Sequence, residues 1–275
     1  MTAIHCGRFR LSLDRPRVMG IVNLTPDSFS GDGVGGDAVR ALAHAHAQVD
    51  AGADILDLGA ESSRPGAAPV SAQQEIDRLL PVVEGLRDCG VPLSVDTAKP
   101  EVMRAALAAG ADMINDIAAL RAPGALEAVA ASDAAVCLMH MRGEPGTMQR
   151  DPRYDDVVAE VAEFLRGRVA AAEAAGIARN RIVIDPGFGF GKTLAHNLAL
   201  LRRLDSFIGL GVPVLAGISR KSMLGQITGR SVDERVPASV AAALLAVERG
   251  AAIVRVHDTA ATRDALAVLD ALGRG

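Results

Sequence analysis

Eight short apolar runs, each followed by a segment with helical spacing, constrain the fold of this chain more than any other feature. Continuous apolar runs of this length are typical of parallel strands that are covered on both faces. Eight strand–helix alternations in 275 residues predict a (β/α)8 TIM barrel, not an open sheet, built as a single domain over residues 1–275. The predicted strands are Arg17–Asn23, Ala53–Gly59, Pro92–Asp96, Ala111–Ile117, Ala134–His140, Arg181–Asp185, Val212–Gly217 and Ala252–His257.

The segments between these runs carry helix signals. Pro100 stands just inside the start of one predicted helix, and Gly110 stops it. The stretch 154–176 places Val157, Val161 and Leu165, together with Phe164, on one helical face. The tetrapeptide Ala-Gly-Ala-Asp occurs before two of the predicted strands and indicates a helix-to-strand turn that is used twice.

Composition excludes several classes of function. The net charge of −4 and the lack of a basic run argue against nucleic-acid and membrane-surface binding. The amino terminus has no apolar core of a signal peptide, and no apolar run approaches the about 20 residues of a membrane span, so we expect a soluble, cytoplasmic protein. Cys6, Cys89 and Cys137 are isolated and are expected to be reduced thiols.

Polar residues gather where the predicted strands end, which is where the chemistry of a barrel is located. A single strand-end aspartate often caps the following helix, but a whole set that converges on one mouth indicates a site. This set comprises Asn23, Asp57, Asp96, Asn115, Asp116, His140, Asp185, Ser219, Arg220, Lys221, Arg255 and His257.

Two kinds of ligand suit these side chains. The carboxylates of Asp96 and Asp185 and the amide of Asn115 match a flat heterocycle with adjacent N–H and NH₂ groups, to which Lys221 can donate. Arg255 and His257 alternate along one strand, so both can point into the mouth and bind an anion, as can Arg64. A surface ion pair for Arg255 and a hydrogen-bonded core position for His257 remain open on the sequence alone.

The run Ile184–Thr193, "IDPGFGFGKT", looks at first like a phosphate-binding loop. The strict pattern needs a glycine five residues before Gly191, and Pro186 occupies that position. The dinucleotide pattern also fails, because Lys192 stands where its third glycine would be. An ATP site is therefore not indicated, and Lys192 is left without a role.

Two further loops have the composition of lids over a substrate. The segment 24–37 is rich in glycine and contains Phe29, and the segment 61–71 contains two prolines and Arg64. Both follow early strands of the predicted barrel, where loops commonly close over a ligand.

Taken together, seven stretches resemble the dihydropteroate synthase family. They run in order from Met19 to Asp258 and cover nearly the whole chain. Two departures stand in the lid segments, where Ser63 replaces the usual threonine and "SFSGDG" replaces "SFSDGG". The stretches are "MGIVNLTPDSFS", "DLGAESSRPGA", "SVDTAKP", "MINDI", "IDPGFGFGKT", "GISRKSM" and "RVHD".

The resemblance implies a role for each matching residue. Asp96, Asp185, Lys221 and Arg255 would be the catalytic residues. The implied pterin ligands are Asp96, Asn115, Asp185 and Lys221; the pyrophosphate ligands are Asn23, Arg64, Arg255 and His257; and the p-aminobenzoate site comprises Phe29, Ser63, Pro65, Phe190, Lys221 and Ser222.

The resemblance also implies a reaction and its requirements. The family condenses 6-hydroxymethyl-7,8-dihydropterin pyrophosphate with p-aminobenzoate to give 7,8-dihydropteroate and pyrophosphate, by loss of pyrophosphate and then attack of the arylamine. It implies Mg²⁺ as cofactor, near Asn23, and a homodimer. A pterin-binding methyltransferase domain and a catalytically silent pterin-binding paralogue are the alternatives.

Overall fold

The computed structural model describes residues 2–24, 33–61, 70–144 and 146–273. Eight parallel strands form the barrel: β3 (Arg17–Asn23), β4 (Ile55–Gly59), β5 (Leu93–Asp96), β6 (Met113–Asp116), β7 (Ala135–Met139), β8 (Ile182–Asp185), β9 (Leu215–Ala216) and β10 (Ile253–Val256). Their order is β8-β7-β6-β5-β4-β3-β10-β9. A parallel bridge between Ile184 and Val214 joins the two outer strands, so the predicted (β/α)8 barrel is confirmed.

The helices of the described residues follow the strands in alternation. The chain places Pro100 at the first position of its helix and ends that helix at Gly110, whose φ of 109° is left-handed, as the sequence predicts. The helices are α1 (Gly33–Asp50), α2 (Ala72–Gly85), α3 (Pro100–Ala109), α4 (Ala125–Ala130), α5 (Val157–Ala174), α6 (Leu194–Arg202), α7 (Ser222–Thr228), α8 (Val236–Glu248) and α9 (Thr259–Gly273).

The two Ala-Gly-Ala-Asp turns have the same backbone conformation and make the same kind of hydrogen bond. Gly52 and Gly110 adopt positive φ angles of 92° and 109°. The aspartate that follows each turn accepts a hydrogen bond from the first part of the neighbouring strand: Asp54 from the Val18 amide at 2.8 Å and Asp112 from the Leu93 amide at 3.1 Å. The turns therefore set the register at the amino-terminal end of the barrel.

Strand β9 is shorter than the sequence suggests. The apolar run predicts a strand over Val212–Gly217, but only Leu215–Ala216 pairs as a regular strand. Pro213 has no amide hydrogen to contribute to a ladder, and only its carbonyl pairs, with the Ile184 amide at 3.0 Å. This limited pairing is where the barrel closes.

A hairpin that was not predicted from the sequence covers the amino-terminal end of the barrel. It consists of β1 (Ala3–Cys6) and β2 (Phe9–Ser12), which pair antiparallel. Ile4 and Cys6 are fully buried against the inward side chains of the barrel strands. The hairpin is held from outside by an ion pair of 2.9 Å between Arg8 and Asp112. One end of the barrel is thereby closed, and only the other end can admit a ligand.

The remaining core lies between the sheet and the helices. Val157, Val161 and Leu165 of α5 are buried there, and Phe164 packs against the same cluster, as predicted from the helical spacing. Cys6 and Cys137 are buried, Cys89 is half-buried, and all three are free thiols. Within the described ranges, no helix combines the length and apolar character that a membrane crossing requires.

Candidate active site

The inner wall of the barrel changes from apolar to polar along each strand. Met19, Ile55, Met113, Val183 and Ile253 point inward and form the lower layer with the hairpin. Side chains on one face of a strand recur at every second residue, so the following inward positions lie at the open mouth. These positions are occupied by Asn23, Asp57, Asp96, Asn115, Asp185, Arg255 and His257.

Asp57 is the centre of the polar layer. Its side chain is fully buried and accepts three hydrogen bonds: from Ser94 Oγ at 2.6 Å, from Asn115 Nδ2 at 3.1 Å and from Arg255 Nε at 2.6 Å. A buried carboxylate is stable only when it is paired and hydrogen-bonded in this way. Asp57 therefore fixes the orientation of two of the predicted ligand-binding side chains, Asn115 and Arg255.

Arg255 joins Asp57 to Asp96 across the mouth. Its Nη2 lies 2.9 Å from Asp96 Oδ2, and 22% of its side chain remains exposed. Burial disfavours its charge, but the two carboxylates outweigh burial and raise its pKa. Burial also raises the pKa of Asp96 to about 7, although Arg255 opposes this shift. The predicted pyrophosphate ligand Arg255 is thus bound to the carboxylate that is predicted to hold the pterin.

Asp185 and Lys221 form the opposite side of the mouth. Asp185 is buried at the end of β8 and accepts the Gly187 amide at 2.7 Å. Lys221 precedes α7, donates to the Phe188 carbonyl, and its Nζ lies 4.5 Å from the centre of the Phe190 ring. Burial lowers the pKa of Lys221 to about 8 against the attraction of Asp185.

Gly217 links the two halves of this cluster. A Cβ built on it would lie 3.7 Å from Asp185 Oδ2 and 3.8 Å from Arg255 Cβ. The Asp185 and Arg255 side chains therefore flank the same glycine, and the four predicted catalytic residues belong to one cluster. With no side chain of its own, the glycine lets these two side chains lie on either side of the backbone.

His257 follows at the rim of the mouth. Its Nδ1 lies 3.0 Å from Ser219 Oγ, and its backbone carbonyl accepts from Gln48 Nε2 at 3.1 Å. The adjacent Arg220 is paired with Asp258, at 2.5 Å between Nη2 and Oδ1. Arg220, one of the strand-end polar residues, is therefore engaged beside the mouth in a structural ion pair.

The structure describes the other predicted site residues unequally. Ser222 is exposed at the first position of α7, and Phe190 is half-buried beneath Lys221. Asp116 is turned away from the mouth, because its two carboxylate oxygens accept the amides of Ala118 and Leu120, each at 2.7 Å. Phe29, Ser63, Arg64 and Pro65 lie outside the described residues.

Two contributions were not assigned from the sequence. The sequence places Asp57 in the strand-end set but assigns no ligand to it, and it does not single out Ser94. The sequence does contain a signal for Asp57. It is a charged residue within an apolar run, and it lies two positions after the inward-facing Ile55, so it faces the barrel interior as well. Only the tertiary structure shows that Ser94, Asn115 and Arg255 converge on it.

No group of three or more His, Cys, Asp or Glu side chains that could hold a metal ion occurs among residues 2–24, 33–61, 70–144 and 146–273. Asn23 is half-buried at the end of β3, level with Asp96 through the register of β3, β4 and β5. A side-chain amide oxygen at the mouth suits a hard cation that takes most of its ligands from phosphate. The donor set therefore fits a cation carried by a pyrophosphate.

The fold and the polar mouth are those of a barrel enzyme, and the family match places it in the pterin-binding class. The sequence profile described as "Pterin binding enzyme" matches residues 19–257. More narrowly, the chain belongs to the dihydropteroate synthase family, a family of transferases.

Relatives and solved structures support this assignment over the full length. The dihydropteroate synthase of Neisseria meningitidis serogroup B is 54% identical over 98% of this chain and 97% of the relative. The structure of the Xanthomonas albilineans enzyme with 4-aminobenzoic acid is 56% identical with a TM-score of 0.93, covering 99% and 98% of the two chains. The Burkholderia cenocepacia enzyme complexed with 7,8-dihydropteroate is 53% identical with a TM-score of 0.91, covering 99% and 97%.

Proposed function

We propose that this protein condenses 6-hydroxymethyl-7,8-dihydropterin pyrophosphate with p-aminobenzoate to form 7,8-dihydropteroate and pyrophosphate. The observation that carries the proposal is the single polar cluster of Asp96, Asn115, Asp185, Lys221 and Arg255 at the open end of the barrel. Relatives that are more than half identical, with structures bound to p-aminobenzoate or to dihydropteroate, support the same reaction.

The cluster matches the edge of a pterin ring. Asp185 and Asp96 offer carboxylate oxygens to the ring N–H and amino groups, and Asn115 presents a carbonyl oxygen because Asp57 holds its Nδ2. Lys221 donates to a ring nitrogen or carbonyl from the other side. These groups lie at the base of the mouth, above the apolar lower layer, so the methylene carbon that carries the pyrophosphate would face the rim.

The same groups suit a dissociative reaction. The bond between the methylene carbon and the pyrophosphate oxygen breaks, and its electron pair leaves with the oxygen. The positive charge that develops on the pterin is stabilised by Asp96 and Asp185, whose orientation is already set before reaction. The arylamine nitrogen then forms the new bond to carbon, and its N–H proton passes to solvent.

The pyrophosphate is proposed to bind at the rim, with Arg64, His257, Asn23 and Arg255 as its ligands. Mg²⁺ would supply positive charge to the departing phosphate oxygens, and Asn23 would hold it together with those oxygens. His257 is oriented for this purpose by Ser219 Oγ. Arg255 uses Nε for Asp57 and Nη2 for Asp96, so its Nη1 is the atom proposed to meet the pyrophosphate.

Phe190, Lys221 and Ser222 are proposed to frame the arylamine, together with Phe29, Ser63 and Pro65. A ring stacked near Phe190 would leave its carboxylate beside Ser222 at the start of α7. We also propose that the protein acts as a cytoplasmic homodimer, as its family resemblance implies. Sedimentation of the purified protein measures the assembly directly.

A coupled turnover assay tests the reaction. With Mg²⁺ and both substrates, the purified protein is expected to release pyrophosphate and dihydropteroate in equal amounts, and chelation of Mg²⁺ is expected to lower the rate because the leaving group loses its counter-charge. Absence of both products, under conditions in which a known synthase is active, would rule out the synthase. Methyl transfer from a reduced folate to a corrinoid in the same preparation would favour the methyltransferase alternative.

The pH dependence provides a second test. Because burial raises the pKa of Asp96 to about 7 and lowers that of Lys221 to about 8, kcat/KM for the pterin substrate is expected to rise through the first value and fall through the second. A Lys221→Arg variant should lose the basic limb, since a guanidinium stays charged. Persistence of a limb near pH 8 in that variant would show that Lys221 does not cause it. Because both proteins are assayed with the same substrate, any titration of the substrate affects the two pH profiles equally.

A further inference from the structure

Lys192, which the nucleotide-loop patterns leave unexplained, is buried in the loop between β8 and α6. Only 3% of it is exposed. Its Nζ lies 2.9 Å from the Gly187 carbonyl, 3.0 Å from the Phe190 carbonyl and 2.9 Å from His140 Nδ1, with the His140 carbonyl at 3.3 Å. An amine with this many close partners is a structural centre, and it faces away from bulk solvent.

The partners satisfy this nitrogen in both of its protonation states. As an ammonium, Lys192 donates its three hydrogens to the two loop carbonyls and to His140 Nδ1. As a neutral amine, it donates to the carbonyls and accepts from His140 Nδ1–H. Burial lowers the pKa of Lys192, and burial together with Lys192 lowers that of His140 to about 3. Both carbonyl contacts persist in either state.

Lys192 binds the carbonyls of Gly187 and Phe190, and the Phe188 carbonyl between them in sequence points toward the active site instead. Between Gly187 and Phe190, the Phe188 carbonyl accepts from Lys221 in the active site. The Phe190 ring lies beneath the same Lys221 amine. The path of the backbone that Lys192 imposes therefore decides where the Phe190 ring is located.

The loop has no room to move toward β7. A Cβ on Gly187 would lie 1.9 Å from the His140 carbonyl, and one on Gly191 would lie 2.3 Å from the Arg142 carbonyl. Both glycines also have positive φ angles, of 70° and 63°. The loop thus lies directly against the segment that follows β7, and Lys192 connects the two through His140.

We propose that Lys192 is a positioning residue for the arylamine half of the site, acting through Phe190. The inference rests on the proposed function, because that function assigns Phe190 to the arylamine. Lys192 itself touches neither substrate. Its loss would let the Phe190 carbonyl and ring move, while Asp96 and Asn115 on other strands would stay in place.

Lys192→Met tests the proposal, with Arg181→Met as its matched control. Arg181 also holds two backbone carbonyls, those of Ala134 at 2.8 Å and Val129 at 3.1 Å, but at the opposite end of β8. We expect Lys192→Met to lower kcat/KM for p-aminobenzoate about 10- to 100-fold, because displacement by about 1 Å has effects of this size. The KM for the pterin substrate should change much less, and Arg181→Met should change neither constant.

Fluorescence quenching measures the position of the loop without substrate binding. The chain contains no tryptophan, so Phe190→Trp introduces a single fluorescent reporter. Adding Lys192→Met to this variant is expected to increase acrylamide quenching, and adding Arg181→Met is not. If Lys192→Met does not fold, Lys192→Gln, which keeps two donors, takes its place and should show a smaller change in the same direction.

The outcomes separate this inference from the proposed function. A wild-type protein without turnover contradicts the function, whereas the quenching experiment still reports on the loop. Equal kinetic effects of Lys192→Met and Arg181→Met, or equal losses for the two substrates, would overturn the positioning role. Unchanged quenching on loss of Lys192 would overturn it as well.

Discussion

Replacing Asp185 with asparagine is expected to lower kcat by about 10²- to 10³-fold, the range that follows loss of one preorganised electrostatic group. The amide oxygen can still accept the Gly187 amide, so the loop after β8 keeps its anchor. What disappears is the negative charge that faces the developing pterin cation. Binding of the pterin substrate is also expected to weaken.

The stability of this variant should not fall. Burial raises the pKa of Asp185, with Lys221 opposing the shift. When folding raises the pKa of a carboxyl group, the free energy of unfolding of the protein falls as the pH rises through the folded-state pKa. The reason is that the carboxyl ionises more readily in the unfolded chain. Removing the charge therefore costs no stability above that pKa, and thermal unfolding at neutral pH is the measurement.

Asp116→Asn is the matched control for Asp185→Asn. Asp116 is also a buried strand-end carboxylate, but both of its oxygens accept loop amides, from Ala118 and Leu120. An asparagine there can satisfy only one of them, so we expect a loss of about 1–3 kcal/mol in the free energy of unfolding with kcat nearly unchanged. Wild-type kcat in Asp185→Asn, or an equal loss of kcat in both variants, would contradict the assignment.

The largest effect on stability is expected for Asp57→Ala. Removing this carboxylate leaves Arg255 without its Nε partner and removes the acceptor of Ser94 Oγ and Asn115 Nδ2. Removing one partner of a buried ion pair typically costs about 3–5 kcal/mol, since the remaining charge is uncompensated. Urea unfolding measures the loss, and Asp57→Asn, which keeps the volume, should lose less.

Asp54→Ala is the control at the other end of strand β4. Asp54 also pairs with arginines, with Arg15 at 2.7 Å and Arg17 at 3.4 Å, but at the amino-terminal end of the strand and not at the mouth. We expect Asp54→Ala to retain kcat/KM and Asp57→Ala to lose it, because only Asp57 orients Arg255 and Asn115. Full activity in Asp57→Ala would show that the polar layer assembles without it.

Much of the barrel could be predicted because its signals are local. Seven of the eight predicted strand runs differ from the observed strands by no more than two residues at either end, and Gly110 ends α3 as predicted. The amino-terminal hairpin was not predicted, although Ile4 and Cys6 and then Phe9 and Leu11 alternate with polar residues, because strands of only four residues are a weak signal. Its stability comes from Ile4 and Cys6 against the barrel interior, which is a tertiary contact.

In the candidate site, the residue positions could be predicted from the sequence, but their pairing could not. That Asp96, Asn115, Asp185, Lys221 and Arg255 should converge follows from strand ends in a barrel, and the structure brings them together. The pairing of Arg255 with both Asp57 and Asp96 could not be predicted, because it joins side chains 198 and 159 residues apart. Which carboxylate an arginine contacts depends on strand order and register across the barrel.

The strand–helix period and the residue types at the mouth follow from local sequence, since both depend on neighbours along the chain. The roles of Asp57 and Lys192 were decided by the tertiary structure alone. A buried charge acquires its function from the donors and acceptors that surround it, and these come from distant segments. For Lys192, the His140 nitrogen and the carbonyls of Gly187 and Phe190 converge on one amine only after two neighbouring loops have packed together.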